Sequence, residues 1–139
     1  QKAAEKAKFD FLLFTDADCL PPENWLKSYN HYIEPQTGMI VGYYKTASNS
    51  SFGVFLQLMT AATFSAAIGL GFPFSAAGGN MLVRKETFRQ VRGYEKIKNH
   101  IAGDDKLLLN LIRKTKWKIA YNPETKVITR PAKNRQTFF

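Results

Sequence analysis

Between Phe52 and Phe72 the chain reads FGVFLQLMTAATFSAAIGLGF, without one charged residue. A helix over this stretch is about as long as a membrane span. It must find an apolar environment, and that demand constrains the arrangement of everything else. Gln57 and a scatter of Ser, Thr and Gly dilute the run. A helix buried in the core or lying at a membrane interface is therefore expected ahead of a spanning one.

Strand and helix signals alternate around it. Residues 1–8 (QKAAEKAK) are helical in composition. Residues 9–15 (FDFLLFT) read as a nearly continuous apolar strand, suited to burial on both faces as in a parallel sheet. Residues 21–35 open on two prolines and carry Trp25, Leu26, Tyr29, Tyr32 and Ile33 at helical spacing. A second strand is expected at 38–44, a polar loop at 45–51, a short strand at Met81–Val83 and a helix at Lys85–Val91. Residues 103–117 read as an amphipathic helix, acidic in its first turn and basic in its last, as the helix dipole favours. Leu107, Leu108, Leu111 and Ile112 are its expected buried stripe. Two short strands follow, at 118–123 and 125–131. The alternation predicts an α/β domain.

With 139 residues the chain suits one domain with one core. Both ends read as cut, so residues 1–139 are expected to be a single partial domain, truncated at both ends. Twenty Lys and Arg against 11 Asp and Glu give a formal charge of +9. That balance favours anionic partners: nucleic acid, phosphorylated small molecules or an anionic membrane face. One cysteine excludes an internal disulfide framework and fits a reducing compartment.

Three short segments carry candidate chemistry. In FLLFTDADCL, Asp16 and Asp18 stand two apart at a strand end, where alternation would put them on one side. Two close carboxylates repel, and a hard divalent cation relieves them, with water and substrate phosphates completing its shell. A solvated strand end or a cap before Pro21-Pro22 fits the same residues. Asp104-Asp105 after Gly103 suits a helix N-terminus, where one acid suffices and the other is free to act as a general base. In FPFSAAGGNMLVRK, two glycines permit close backbone approach, and Asn80 either bonds substrate hydroxyls or caps the turn.

In order and spacing, three segments resemble glycosyltransferase family 2, the nucleotide-sugar transferases of GT-A fold. They are FLLFTDADCLPPENWL, GFPFSAAGGNMLVRKETFRQVRGY and AGDDKLLLNLIRKTKWKIAYNPETKVITRP. The resemblance covers about residues 1 to 135. It implies a partial GT-A fold, with a mixed sheet flanked by helices. It also implies metal-dependent inverting transfer from a nucleotide-diphospho-sugar donor to an acceptor hydroxyl, on a glycan or lipid-linked glycan. Cell-envelope or surface polysaccharide and glycolipid synthesis is the implied setting. Asp18 would coordinate Mg²⁺ or Mn²⁺, and Asp16 would contact the ribose or the metal shell. Asp105 would be the catalytic base, with Asp104 the acid before it. Gly79 and Asn80 would line the sugar or acceptor pocket.

The family's opening nucleotide-binding strands are not matched. Gln136 is not followed by the x-x-Arg-Trp that many members carry, so it is assigned no role. The piece is therefore expected to lack normal donor binding, and to be soluble and inactive alone. The full-length protein is expected at the cytoplasmic face of a membrane.

Two rivals remain. A basic module binding nucleic acid or membrane fits the charge, but Lys and Arg are scattered and no RNA-binding motif is present. A two-metal phosphohydrolase would want more His or carboxylate ligands. No nucleic-acid partner is expected. Cys19 is expected to be packed, and His31 and His100 to be surface or loop residues. Arg84 and Lys85 either see phosphate or form a solvated pair. The basic segment 130–135 either meets anionic lipid or only aids solubility.

Overall fold

The computed structural model describes residues 1–47, 50–95 and 103–129, the Thr125 side chain excepted. His100, the segment 130–135 and Gln136 lie outside the described residues. The elements are α1 (Lys2–Lys6), β1 (Phe11–Phe14), β2 (Cys19–Leu20), α2 (Trp25–Tyr29) with a 3-10 turn (Asn30–Tyr32), and β3 (Thr37–Thr46). They continue with α3 (Ser51–Gly69), β4 (Met81–Arg84), α4 (Lys85–Gln90), α5 (Asp104–Ile112) and β5 (Lys118–Thr129). The expected α/β class holds, with a mixed sheet flanked by helices.

The five strands lie in the order β1-β4-β3-β5-β2. Only β3 and β5 run parallel; the other neighbours are antiparallel. The parallel setting expected for residues 9–15 is therefore corrected. β1 is an edge strand paired antiparallel to β4, and of its residues only Leu12 is buried.

Strand alternation sorts the core onto two faces. Leu12, Met39, Val41, Met81 and Val83 share one face with Phe88, Val91, Leu108, Leu109 and Ile112 from the helices. Ile40 and Leu82 share the other with Tyr29, backed by Leu13 and Trp25. The α5 stripe thus runs through Leu108, Leu109 and Ile112, while Leu107 and Leu111 are half-buried. The helix stops at Ile112, short of the expected 117.

The two C-terminal strands are one. β5 pairs with β3 through Asn122, opposite Gly42, and resumes at Lys126, opposite Tyr43. Three residues, 123–125, bulge out between. Pro123 has no N–H for the ladder, which is why a break is read there. The bulge is held: Glu124 accepts from Tyr32 Oη at 3.1 Å and meets His31 Nδ1 at 3.1 Å.

The apolar run corrects one of the two alternatives expected for it, burial in the core. α3 spans Ser51–Gly69, capped by Ser50, and only Ile68 in it is buried. Phe52, Phe55, Leu56, Leu58 and Met59 stand exposed. It is not a core helix. By length and composition it is long and apolar enough to cross a membrane.

Candidate active site

β1 ends at Phe14, so Asp16 and Asp18 occupy the turn beyond it. The Cys19 N–H donates to the Asp16 carbonyl at 3.1 Å and closes that turn into β2. The turn, rather than strand alternation, brings the acids together. One oxygen from each carboxylate and the Cys19 Sγ all lie within 4.8 Å of one another. Thr129 Oγ1, on the neighbouring β5, donates to Asp18 Oδ2 at 3.0 Å and orients that carboxylate. Cys19 is half-buried, its Sγ 3.9 Å from Asp18 Oδ1.

The second acidic pair opens α5 behind Gly103, whose φ of 79° lies in the left-handed region that favours glycine. Asp104 Oδ1 accepts from the Asp105 N–H at 3.1 Å, and Asp105 Oδ1 from the Lys106 N–H at 2.9 Å. The other oxygen, Asp105 Oδ2, accepts from the Gly78 N–H at 2.8 Å. A point one Cβ bond out from Gly78 lies 3.6 Å from Asp105 Oδ2 and 3.8 Å from Asp16 Oδ1. The two acidic segments, some ninety residues apart, thus face the same glycine. Their charges are felt: the Asp16 carboxyl titrates above its usual value, first through partial burial, then through Asp18, Asp105 and Asp104. Tyr94 also sits in this field. Burial, then Asp104, Asp105 and Asp16, push its hydroxyl upward, and its ring packs edge-on against Phe14 and Phe88.

A cavity of about 430 Å³ opens beside these acids. Asp16, Asp105, Gly78 and Gly79 line it together with Tyr43, Tyr44 and Tyr121. Gln57, Thr60, Ala61 and Phe64 of α3 contribute the rest of one side. Burial, and then Tyr43, push the Tyr121 hydroxyl up to about 12. Asp18 and Asp104 stand off this wall.

Gly79 is on the wall for a steric reason. A Cβ there would meet Tyr44 Cε2 at 2.6 Å and Cys19 Sγ at 2.9 Å. Asn80, expected to line the sugar or acceptor pocket, is not among the residues that line this cavity. Residues 80, 82 and 84 alternate onto the α2 face of β4, where Asn80 is fully buried. Its Oδ1 accepts from Trp25 Nε1 at 2.8 Å and Tyr29 Oη at 2.6 Å, and its Nδ2 donates to the Tyr43 carbonyl at 2.8 Å.

Arg84, half-buried, commits its guanidinium to the protein itself. It donates to the carbonyls of Thr37 at 2.7 Å and Glu34 at 2.8 Å, and stacks between Phe11 and Trp117. Lys85 donates to the Ala7 carbonyl. His31 is exposed, as expected. The contribution of α3 to the cavity was not read from the sequence. Its signal is the stripe 57, 60, 61, 64, which alone brings Gln57 and Thr60 to one side of an apolar helix.

One acid of each pair, Asp16 and Asp105, thus meets its counterpart at the Gly78 turn beside a cavity, on a mixed α/β sheet. The chain belongs to glycosyl transferase family 21, whose model matches residues 1–138. The motif-based reading of a glycosyltransferase holds in this match, which is to family 21 and not specifically to family 2. Among solved structures, it is similar to one described as "Crystal Structure of a Mycobacterial Protein", at 12% identity and a TM-score of 0.46. That match covers 93% of this chain, which spans 40% of the other. No curated protein matches.

Proposed function

We propose that this chain carries the metal- and base-bearing part of a glycosyltransferase that moves a sugar, with inversion, from a nucleotide-diphospho-sugar to an acceptor hydroxyl. The observation that carries the reading is the meeting of Asp16 and Asp105 at Gly78, on one wall of the cavity.

Asp16 and Asp18 fit a hard divalent cation, Mg²⁺ or Mn²⁺. Both offer carboxylate oxygens and Thr129 orients one of them; the Asp16 carboxyl is raised first by partial burial and then by its acidic neighbours, and a cation relieves that crowding. When bound, the cation would neutralise charge on the diphosphate leaving group. Asp105 is the acid placed for proton removal. It lines the cavity, and N–H groups of Gly78 and Lys106 hold its carboxylate in one orientation. Its role is to take the proton of the acceptor hydroxyl as that oxygen attacks the anomeric carbon from the side opposite the departing diphosphate. Asp104, off the wall, contributes charge and caps the Asp105 N–H. Gly79 keeps the wall open for a sugar or acceptor; Asn80 supports it from behind.

The exposed apolar α3 and the basic charge favour a full-length protein associated with the cytoplasmic face of a membrane, working on glycans or lipid-linked glycans of the cell envelope or surface. Fractionation of the full-length protein wholly with the soluble fraction would overturn that part.

The central test uses the full-length protein and nucleotide-sugar hydrolysis and transfer with Mn²⁺. Asp18→Asn is expected to abolish metal-dependent donor binding. Asp105→Asn is expected to spare donor binding and lower transfer by roughly 10²–10⁴-fold. Wild-type activity in both variants would sink the assignment.

A further inference from the structure

α3 turns one polar pair toward the cavity. Gln57 and Thr60 lie with Ala61 and Phe64 on its wall, while Phe55, Leu56, Leu58 and Met59 stand exposed. The Thr60 hydroxyl spends its proton on the Leu56 carbonyl at 2.9 Å, leaving only lone pairs to offer. The Gln57 Oε1 is buried and has no hydrogen-bond partner among the described residues. An unpaired buried acceptor is costly, and such groups in folded proteins call for a ligand, a water or a function. The last torsion of a glutamine is soft, so a small rotation brings Oε1 into the cavity its side chain already lines.

We propose that Gln57 is a substrate-binding residue, its Oε1 accepting a hydrogen bond from a sugar or acceptor hydroxyl held in this cavity. The proposal rests on the glycosyl-transfer reading and deepens it. A hydroxyl, which both donates and accepts, is the fitting ligand: Gln57 offers an acceptor at Oε1 beside the N–H donors of its Nε2, and the Thr60 oxygen offers lone pairs. The same cavity is lined by Asp16 and Asp105, the acids that such a substrate must approach. Specificity follows: an acceptor built to meet a hydroxyl penalises a substrate that lacks it.

The test compares wild type, Gln57→Met and Gln57→Glu in the full-length protein, with a panel of UDP-, GDP- and dTDP-sugars. Methionine keeps the length and helix propensity and removes the acceptor; glutamate keeps an acceptor oxygen. Thermal unfolding of each variant checks the fold. Gln57→Met is expected to lose about tenfold in kcat/KM, the worth of one neutral hydrogen bond, with Gln57→Glu losing less. A loss in acceptor-free donor hydrolysis assigns the hydroxyl to the sugar; a loss in transfer alone assigns it to the acceptor. Gln57→Met equal to wild type in both assays overturns the proposal, as does Gln57→Glu falling as far as Gln57→Met. A wild type inactive on every sugar nucleotide overturns the glycosyl-transfer reading itself, and the Gln57 role with it.

Discussion

The Gly78 N–H donates to Asp105 Oδ2 at 2.8 Å, across 27 positions of sequence. This bond ties the glycine turn before β4 to the first turn of α5. It presents a carboxylate at the cavity without spending a charged partner on it. Removing the acceptor should loosen both segments. Asp105→Ala is expected to cost about 1–2 kcal/mol in denaturant unfolding, whereas Asp104→Ala, off the wall, should cost less.

Gly79 should tolerate no side chain. Tyr44 Cε2 and Cys19 Sγ lie 2.6 and 2.9 Å from where its Cβ would be. Gly79→Ala is expected to lose about 1–3 kcal/mol by urea unfolding. Gly69→Ala, with open space around it, is the control and should gain up to about 1 kcal/mol.

Asn80→Leu separates a structural role from a binding one. It leaves Trp25 Nε1, Tyr29 Oη and the Tyr43 carbonyl without their Asn80 bonds. The expected loss is about 3 kcal/mol or more. Arg84→Lys should likewise cost about 1–3 kcal/mol, since lysine cannot reproduce the two carbonyl bonds and the stacking. Nucleotide affinity, measured by calorimetry on folded protein, should not change in Arg84→Lys.

Asp16 sets a pH dependence. Its folded-state pKa is raised above the unfolded one. The folded form therefore holds its proton more tightly, and that contribution to stability is fully present below the unfolded value. It is lost as pH rises through the raised value. Thermal unfolding in EDTA should show this fall across the weakly acidic range. Asp16→Asn should flatten it, and Mn²⁺ should restore stability at neutral pH.

The acidic positions were legible because each pair is a local signal: 16 and 18 behind an apolar run, 104 and 105 opening an amphipathic helix. Their mutual placement was not, since it depends on Gly78, which belongs to neither segment. The burial of Asn80 was not legible for a reason of parity. One step along β4 separates the cavity side from the α2 side, and composition does not carry that phase. α3 gave little to read because it is apolar nearly all round, and only Gln57 and Thr60 mark its inner side. The break at Pro123 looked like a strand end because a three-residue bulge and a terminus share the same residues.

The clamp of Tyr44 and Cys19 over Gly79 has a consequence for how such sequences can drift. Cys19 adjoins Asp18, and Tyr44 lies on β3, so three distant stretches share one contact. A larger residue at 79 is admissible only beside a smaller one at 44 or 19. Changes at these three positions should therefore appear together among relatives, as compensated sets rather than single steps.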